Sequence, residues 1–287
     1  MYKRQLFVSS GTQANLCALM AWCQRGDEVI VGQLAHTYRY EAGGGAVLGS
    51  IQPQPVPQQA DGTLALADIA AAIKPDDEHF ARTRLLALED TWNGRVLPQA
   101  YLDAATDLAH ARGLATHLDG ARLFNAVVAS GVPVDRLTRG FDSVSFCLSK
   151  GLGAPVGSML VGPRDFIARS RRLRKMLGGG MRQVGLLAAA GHHALDHHLV
   201  RLADDHVLAR RLADGLAAIP GIGVTPPDTN IVFASVEGGR TQALLDHLAT
   251  HGVLATGLLG LRFVTHLDVD AAGIDRAVAA VRRFMVA

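Results

Sequence analysis

Long charge-free apolar runs, paired cysteines, abundant aromatics and a surplus of either charge are all missing from this 287-residue chain. No run is apolar enough to cross a bilayer, and Met1-Tyr2-Lys3-Arg4-Gln5 lacks the apolar centre of a secretion signal, so a cytoplasmic protein is expected. Aromatic residues make up 5% and the net charge is +2, too little of either to imply a nucleic-acid partner. Cys17, Cys23 and Cys147 cannot all pair, and each falls within an apolar pattern, which predicts buried thiols. No internal repeat or low-complexity linker interrupts the chain. What is present is 49% apolar content, enough for one large domain with a core plus a smaller one.

From Ser10 to about Val161, short β-branched or leucine-rich stretches alternate with longer helical ones, the pattern of a mainly parallel α/β sheet. Helices are predicted over 12–23, 66–73, 99–112 and 121–130, and strands over 28–31, 51–56, 84–89, 114–119, 143–148 and 157–161. Residues 163–175 read as helical, glycines 178–180 break the pattern, and one long helix is predicted from about 183 to 218. Strands near 231–236, 253–255 and 262–265, with helices at 240–251 and 271–285, read as a smaller C-terminal α+β domain. The boundary is placed near Asp196, giving domains 1–196 and 197–287. The basic run at 169–175 reads as the solvated face of a helix, with a phosphate-facing role for one or two charges as the alternative.

Functional groups gather at the C-terminal ends of strands in open parallel sheets. Asp119, Lys150 and Glu89 all fall at such ends. A lysine amine able to form an imine, with a carboxylate that keeps a pyridine nitrogen protonated, is the pair needed to hold pyridoxal 5'-phosphate. Ser149, Gly151 and Gly153 leave room for a planar ring beside Lys150, and a desolvated lysine there is expected to be nucleophilic. The segment 9–15, with Gly11 and Thr12 between a short strand and a periodic helix, offers free N–H groups for a phosphate; ordinary capping by Ser10 or Thr12 is the plainer reading of the segment alone.

Among twelve histidines, His36 follows a strand and is placed to stack on a cofactor ring. His79 lies in a polar loop ahead of the strand that carries Glu89, placed to reach a substrate hydroxyl directly or through water. Either serves as a candidate base. His192, His193, His197 and His198 have helical spacing suited to chelation, but no third ligand from another segment accompanies them, and no metal is expected. Arg122 and Arg262 are candidates for bidentate bonds to a substrate carboxylate.

Taken in order, Ser-Gly-Thr-Gln-Ala-Asn (10–15), Arg-Gly-Asp-Glu-Val-Ile-Val-Gly (25–32), Asp-Gly-Ala-Arg-Leu-Phe-Asn (119–125), Cys-Leu-Ser-Lys-Gly-Leu-Gly-Ala-Pro-Val-Gly-Ser (147–158), Arg-Lys-Met-Leu-Gly-Gly-Gly-Met-Arg-Gln (174–183) and Arg-Phe-Val-Thr-His-Leu-Asp (262–268) resemble the low-specificity L-threonine aldolases. The resemblance runs from about Phe7 to the C-terminus and implies the aspartate aminotransferase fold. It further implies that Lys150 binds the cofactor covalently, Asp119 pairs with the pyridine nitrogen, His36 stacks on the ring and Gly11 and Thr12 take the phosphate. Arg122 then serves cofactor and substrate, Arg262 the substrate carboxylate, and Arg182 the phosphate of a neighbouring subunit in a homodimer or homotetramer. The implied reaction cleaves the Cα–Cβ bond of L-threonine, L-allo-threonine and related β-hydroxy-α-amino acids to glycine and an aldehyde. Another pyridoxal-phosphate reaction such as β-elimination, or an inactive chain that only associates with partners, is the alternative.

Three departures accompany the resemblance. Asp90 stands where the family has Asn, and Trp92 where it has His. The family also carries a segment ahead of the Ser-Gly-Thr motif that supplies a substrate-contacting serine and part of the dimer contact. Residues 1–5 match nothing in it, which predicts weakened cofactor binding in the chain as given.

Overall fold

Alternation of short apolar strands with longer helices produces a seven-stranded sheet flanked by helices and followed by a three-stranded sheet. The structure, a computed structural model, describes residues 4–286. Met1, Tyr2 and Lys3, part of the unmatched opening stretch, lie outside the described residues; Arg4 and Gln5 begin the first strand.

In chain order, β1 (Arg4–Val8) leads to α1 (Gly11–Trp22), β2 (Asp27–Gly32), the short helices α2 (His36–Arg39) and α3 (Gly44–Val47), and β3 (Gln52–Val56). Next come α4 (Leu66–Ala72), β4 (Arg82–Glu89), α5 (Gln99–Ala111), β5 (Ala115–Gly120), α6 (Leu123–Ser130), α7 (Val134–Leu137), β6 (Ser143–Cys147) and β7 (Ser158–Gly162). The remainder comprises α8 (Arg164–Met176), α9 (Gly185–His197), α10 (Leu202–Ala217), β8 (Ile222–Thr225), β9 (Ile231–Val236), α11 (Thr241–Thr250), β10 (Leu261–Val264) and α12 (Ala271–Val286).

The large sheet runs β1-β7-β6-β5-β4-β2-β3. Its β3, β2, β4, β5 and β6 are mutually parallel, while β7 is antiparallel to β6 and β1 antiparallel to β7. The C-terminal ends of β1, β2, β4, β5 and β6 therefore share one edge. Pro53 and Pro55 fall in β3, an edge strand, where a missing N–H costs no ladder bond to a further neighbour.

Each sheet face buries its own set of side chains. Ile30, Leu86, Leu88, Leu118 and Val144 pack with residues of α4 to α7, whereas Val29, Val31, Leu85 and Ala87 pack with Leu19 and Cys23 of and beside α1. All three cysteines are free and buried, as their apolar settings predict. Leu212, Leu244, Leu248, Phe263 and Val281 form a separate core under the small sheet.

Three elements depart from the sequence reading. The long helix predicted over 183–218 is two, α9 and α10, with a turn at 198–201. No Pro or Gly marks the break; His198 leaves the helix because its Nδ1 lies 2.6 Å from the Leu152 carbonyl, and Leu202 restarts the helix to bury itself beside Leu148 and Leu152. The strand predicted at 253–255 does not form, its place taken by a single bridge from Thr256 to Arg262 that leads into the turn at Gly257–Gly260. Strand β8, which had no periodic signal, is defined by antiparallel pairing with β9.

Candidate active site

Register across the middle of the sheet brings the chemistry together. Glu89 on β4 sits opposite Asp119 on β5, and Asp119 opposite Ser145 on β6. Past the ends of these strands opens a cavity of about 280 Å³ lined by His36, Glu89, Arg122, Lys150 and, from the small sheet, Ile231 and Arg262. Lys150 and Arg122 also border a second opening with Gly151, Gly153 and Asn230. The lysine thus stands between two recesses in the same edge.

The start of α1 adjoins this edge because β1 and β6 end at the same level, Val8 and Cys147 each pairing with Ser158. Ser10 caps the helix, its hydroxyl accepting the Gln13 N–H at 3.1 Å. The Gly11 and Thr12 N–H groups have no acceptor among the described residues, so a helix N-terminus with spare donors faces the site. A Cβ at position 11 would lie 3.0 Å from Cys147 Sγ, which explains the glycine.

Asp119 is buried, with Oδ1 accepting the Ala121 N–H at 3.0 Å and Oδ2 accepting Asn15 Nδ2 at 2.7 Å. His36 opens α2, its Nδ1 2.9 Å from Glu41 Oε1, and this bond holds the imidazole above its usual range. Burial raises Glu41, with the His36 bond opposing it. Glu89 accepts the His36 backbone N–H at 2.8 Å; burial, then the nearby Asp119 charge, pushes its carboxyl up to about 8. Both effects favour the neutral form of Glu89. His36, Glu41 and Asp119 lie close enough to suggest a cation site, but the Asn15 N–H₂ group reaches both carboxylates and fills the space between them with donors.

Two guanidinium groups face the cavity with work undone. Arg122 Nε and Arg262 Nε are buried without a hydrogen-bond partner, and burial together with the Arg262 charge lowers Arg122 to about 10. Neighbouring cations with orphaned donors call for an anion. Lysine for covalent attachment, a fixed carboxylate, a glycine-opened helix start and unpaired guanidinium groups suit an anionic, aromatic aldehyde cofactor and a carboxylate substrate, so the residues present fit pyridoxal 5'-phosphate.

The expected site residues divide in two. Gly11, Thr12, His36, Asp119, Arg122, Lys150 and Arg262 come together at one edge. His79 does not: its side chain is 77% exposed and paired with Asp77. It precedes β4, so it belongs to the opposite, N-terminal edge of the parallel strands, and its expected role as base is corrected on that ground. Arg182 is exposed on the loop between α8 and α9, away from the cavity lining. That loop rests on α1, since Gly179 approaches the Gln13 side chain closely. Trp92 is likewise absent from the cavity lining, while its neighbours Thr91 and Asn93 belong to it; the indole fills the space left by Gly62. The sequence reading noted Glu89 without a role and missed Asn15 and Glu41. For Asn15 the available signal was a polar residue on an otherwise apolar helix face.

This fold and site define a pyridoxal-phosphate-dependent enzyme. The profile of the β-eliminating lyase family matches residues 1–238. Low specificity L-threonine aldolase from Escherichia coli K12 is 52% identical over 280 residues, covering 98% of this chain and 84% of that protein. Low-specificity L-threonine aldolase 1 of Arabidopsis thaliana is 40% identical, covering 98% of this chain and 82% of that protein. A solved structure of Leishmania major threonine aldolase superimposes with a TM-score of 0.83 at 25% identity, covering 99% of this chain and 84% of that one. The chain belongs to the β-eliminating lyase family, alongside its low-specificity L-threonine aldolases.

Proposed function

We propose that this chain is an aldehyde-lyase that cleaves L-threonine, L-allo-threonine and related β-hydroxy-α-amino acids to glycine and an aldehyde, acetaldehyde in the case of threonine. The reading is supported by the relatives' activities and, in this molecule, above all by the unpaired Arg122 and Arg262 guanidinium groups facing the same cavity as Lys150. Bound pyridoxal phosphate supplies the sink for the electron pair released at Cα.

With pyridoxal phosphate bound, Lys150 would hold it through Nζ, Asp119 would keep its pyridine nitrogen protonated, His36 would pack against the ring, and Gly11 and Thr12 would donate to its phosphate. Arg122 and Arg262 grip the substrate carboxylate and so orient the Cα–Cβ bond. Glu89, lining the cavity beside Lys150, takes the β-hydroxyl proton in its ionised form, directly or through water, with His36 as the other basic group at hand. Tyr40, Leu258 and Leu259 wall the cavity and limit water around the leaving aldehyde.

Residues 1–196 form the cofactor-binding part and 197–287 the smaller C-terminal part in this reading. The enzyme works in the cytoplasm as a homodimer or homotetramer, with Arg182 reaching the phosphate of a neighbouring subunit. Among the described residues no helix is long and apolar enough to cross a membrane.

The test is to incubate purified, cofactor-loaded protein with L-threonine and trap the products. Equimolar glycine and acetaldehyde are expected; a keto acid with ammonia overturns the reading. Borohydride reduction is expected to fix the cofactor on Lys150, and light scattering gives the number of subunits.

A further inference from the structure

Helix α1 carries more than the donors at its start. Asn15 and Trp22 are seven residues apart, close to two turns, and so share one helix face. His117 and Asp119 on β5, and Ser143 and Ser145 on β6, are each two residues apart and share one face of the sheet. Register sets His117 beside Ser143 and Asp119 beside Ser145. The two faces meet in an unbroken line of hydrogen bonds.

Trp22 Nε1–H donates to Ser143 Oγ at 2.8 Å, and His117 Nδ1 lies 2.9 Å from the same oxygen. His117 Nε2 lies 3.2 Å from Asn15 Oδ1, which also accepts the Ser145 hydroxyl at 2.9 Å. Asn15 Nδ2 donates to Asp119 Oδ2 at 2.7 Å and Glu41 Oε1 at 2.8 Å. An indole only donates, so Ser143 accepts from Trp22; Asn15 Oδ1 only accepts, which requires the neutral His117 proton on Nε2 and makes Nδ1 the acceptor of the Ser143 hydrogen. His117 then carries its proton on Nε2 and donates to Asn15 Oδ1. The carbonyl of Asn15, receiving two donors, is pinned on that side, and its N–H₂ group is pinned on the carboxylates.

Burial lowers His117 to about 4, so above that pH it is a neutral donor of fixed tautomer. His117, Ser143, Ser145 and Asn15 are all buried, leaving the line no bulk water to substitute for a lost bond.

We propose that Asn15, oriented by His117 and Ser145, is a positioning residue for the cofactor: its amide ties Asp119 to Glu41, the partner of His36, and so fixes that carboxylate and that imidazole relative to each other as one unit. This rests on the reading that Asp119 faces the pyridine nitrogen. Without the amide only His36 faces Glu41 and only the Ala121 N–H bonds Asp119, so repulsion between the two buried carboxylates favours a proton on one of them. A proton on Asp119 removes the charge that holds the pyridine nitrogen protonated; a proton on Glu41 releases His36.

The experiment compares Asn15→Leu, His117→Phe and His117→Gln with the unaltered protein. A glutamine amide places an N–H near the position of His117 Nε2, whereas phenylalanine fills the ring volume without a donor. Binding of pyridoxal phosphate to cofactor-free protein, the pH midpoint of the bound cofactor's visible band and the NMR titration of the His36 ring in cofactor-free protein are measured. Asn15→Leu and His117→Phe are expected to weaken binding about 10- to 100-fold, the scale of a lost hydrogen bond to a charged group, and to move both midpoints. His117→Gln is expected to restore most of the affinity and the original midpoints. Should Asn15→Leu not fold, the His117 pair decides. Unchanged affinity and midpoints in His117→Phe, or equal damage in His117→Gln and His117→Phe, overturns this inference while leaving the proposed reaction standing. An unaltered protein that takes up no cofactor overturns both.

Discussion

The edge of the large sheet and the small three-stranded sheet meet at one cavity yet contribute different kinds of residue. The large sheet brings Lys150, Glu89 and Arg122, backed by a buried polar network that reaches from Glu41 to Trp22. The small sheet brings Arg262 and Ile231, and the turn before β10 brings the exposed Leu258, over an apolar core flanked by the buried Thr229, Asn230 and Thr265. Glu89 and Asp119 stand on neighbouring parallel strands, with Arg122 and Lys150 just past the strand ends, while the other wall of the cavity supplies one charge, Arg262, and apolar cover. Rigidity and recognition are assigned to different sheets.

The sharpest way to break this comparison is at the large sheet. Lys150→Ala is expected to lower threonine cleavage by about 10³-fold or more, the scale seen when a covalent catalytic group is removed, and to abolish borohydride labelling; steady-state kinetics and mass spectrometry check it. On the small sheet, Arg262→Ala is expected to raise KM for threonine by about 10- to 100-fold, as for a lost charge-assisted bond, with the melting temperature little changed. A Km effect no larger than for a surface arginine would erase the division of labour.

Glu89→Gln tests the large sheet by pH. The carboxyl is raised to about 8 by burial and Asp119, so its ionised form accumulates above that pH and kcat/KM is expected to rise through it. Glutamine is expected to remove that limb from the profile and lower activity above it.

The smallest effect on activity is expected next door. Asp90 is fully buried; its Oδ1 accepts the Leu97 N–H at 3.0 Å, its Oδ2 has no partner, and burial pushes its carboxyl up to about 7. A carboxyl raised on folding favours the native state only while protonated. Its contribution is intact below about pH 4 and is lost between there and about pH 7, a cost of up to roughly 4 kcal/mol at higher pH. Asp90→Asn is therefore expected to raise stability at pH 8, flatten the fall between pH 4 and 7 in denaturant titrations, and leave kcat nearly unchanged.

Much of this was legible in the chain. Strand ends at Glu89 and Asp119, the glycine-flanked Lys150 and the capped start of α1 follow from local pattern, because period, caps and glycines are local properties. His79 was misplaced because its distance along the chain from β4 is short whichever edge it occupies; only strand direction separates the edges. The break between α9 and α10 left no mark because its cause, the Leu152 carbonyl, lies 46 residues away. Asn15 escaped for a similar reason, since its partners come from α2–α3, β5 and β6. The packing of Trp92 could not be read locally, because the space its indole fills is left by Gly62, thirty positions earlier.

The fastening of His198 to Leu152 has a consequence for how the polypeptide tolerates being cut. Residues 198–201 form a turn between α9 and α10 that is half-buried except at Val200, one of the most solvent-facing apolar side chains, where a protease or new termini have access. Yet His198 is bonded to the Leu152 carbonyl, and Leu199 packs on the cluster of Leu148 and Leu152, which flank the lysine. Severing the turn would leave each sheet with its own core while slackening the grip on Lys150, so a nicked molecule would keep its shape and lose its poise.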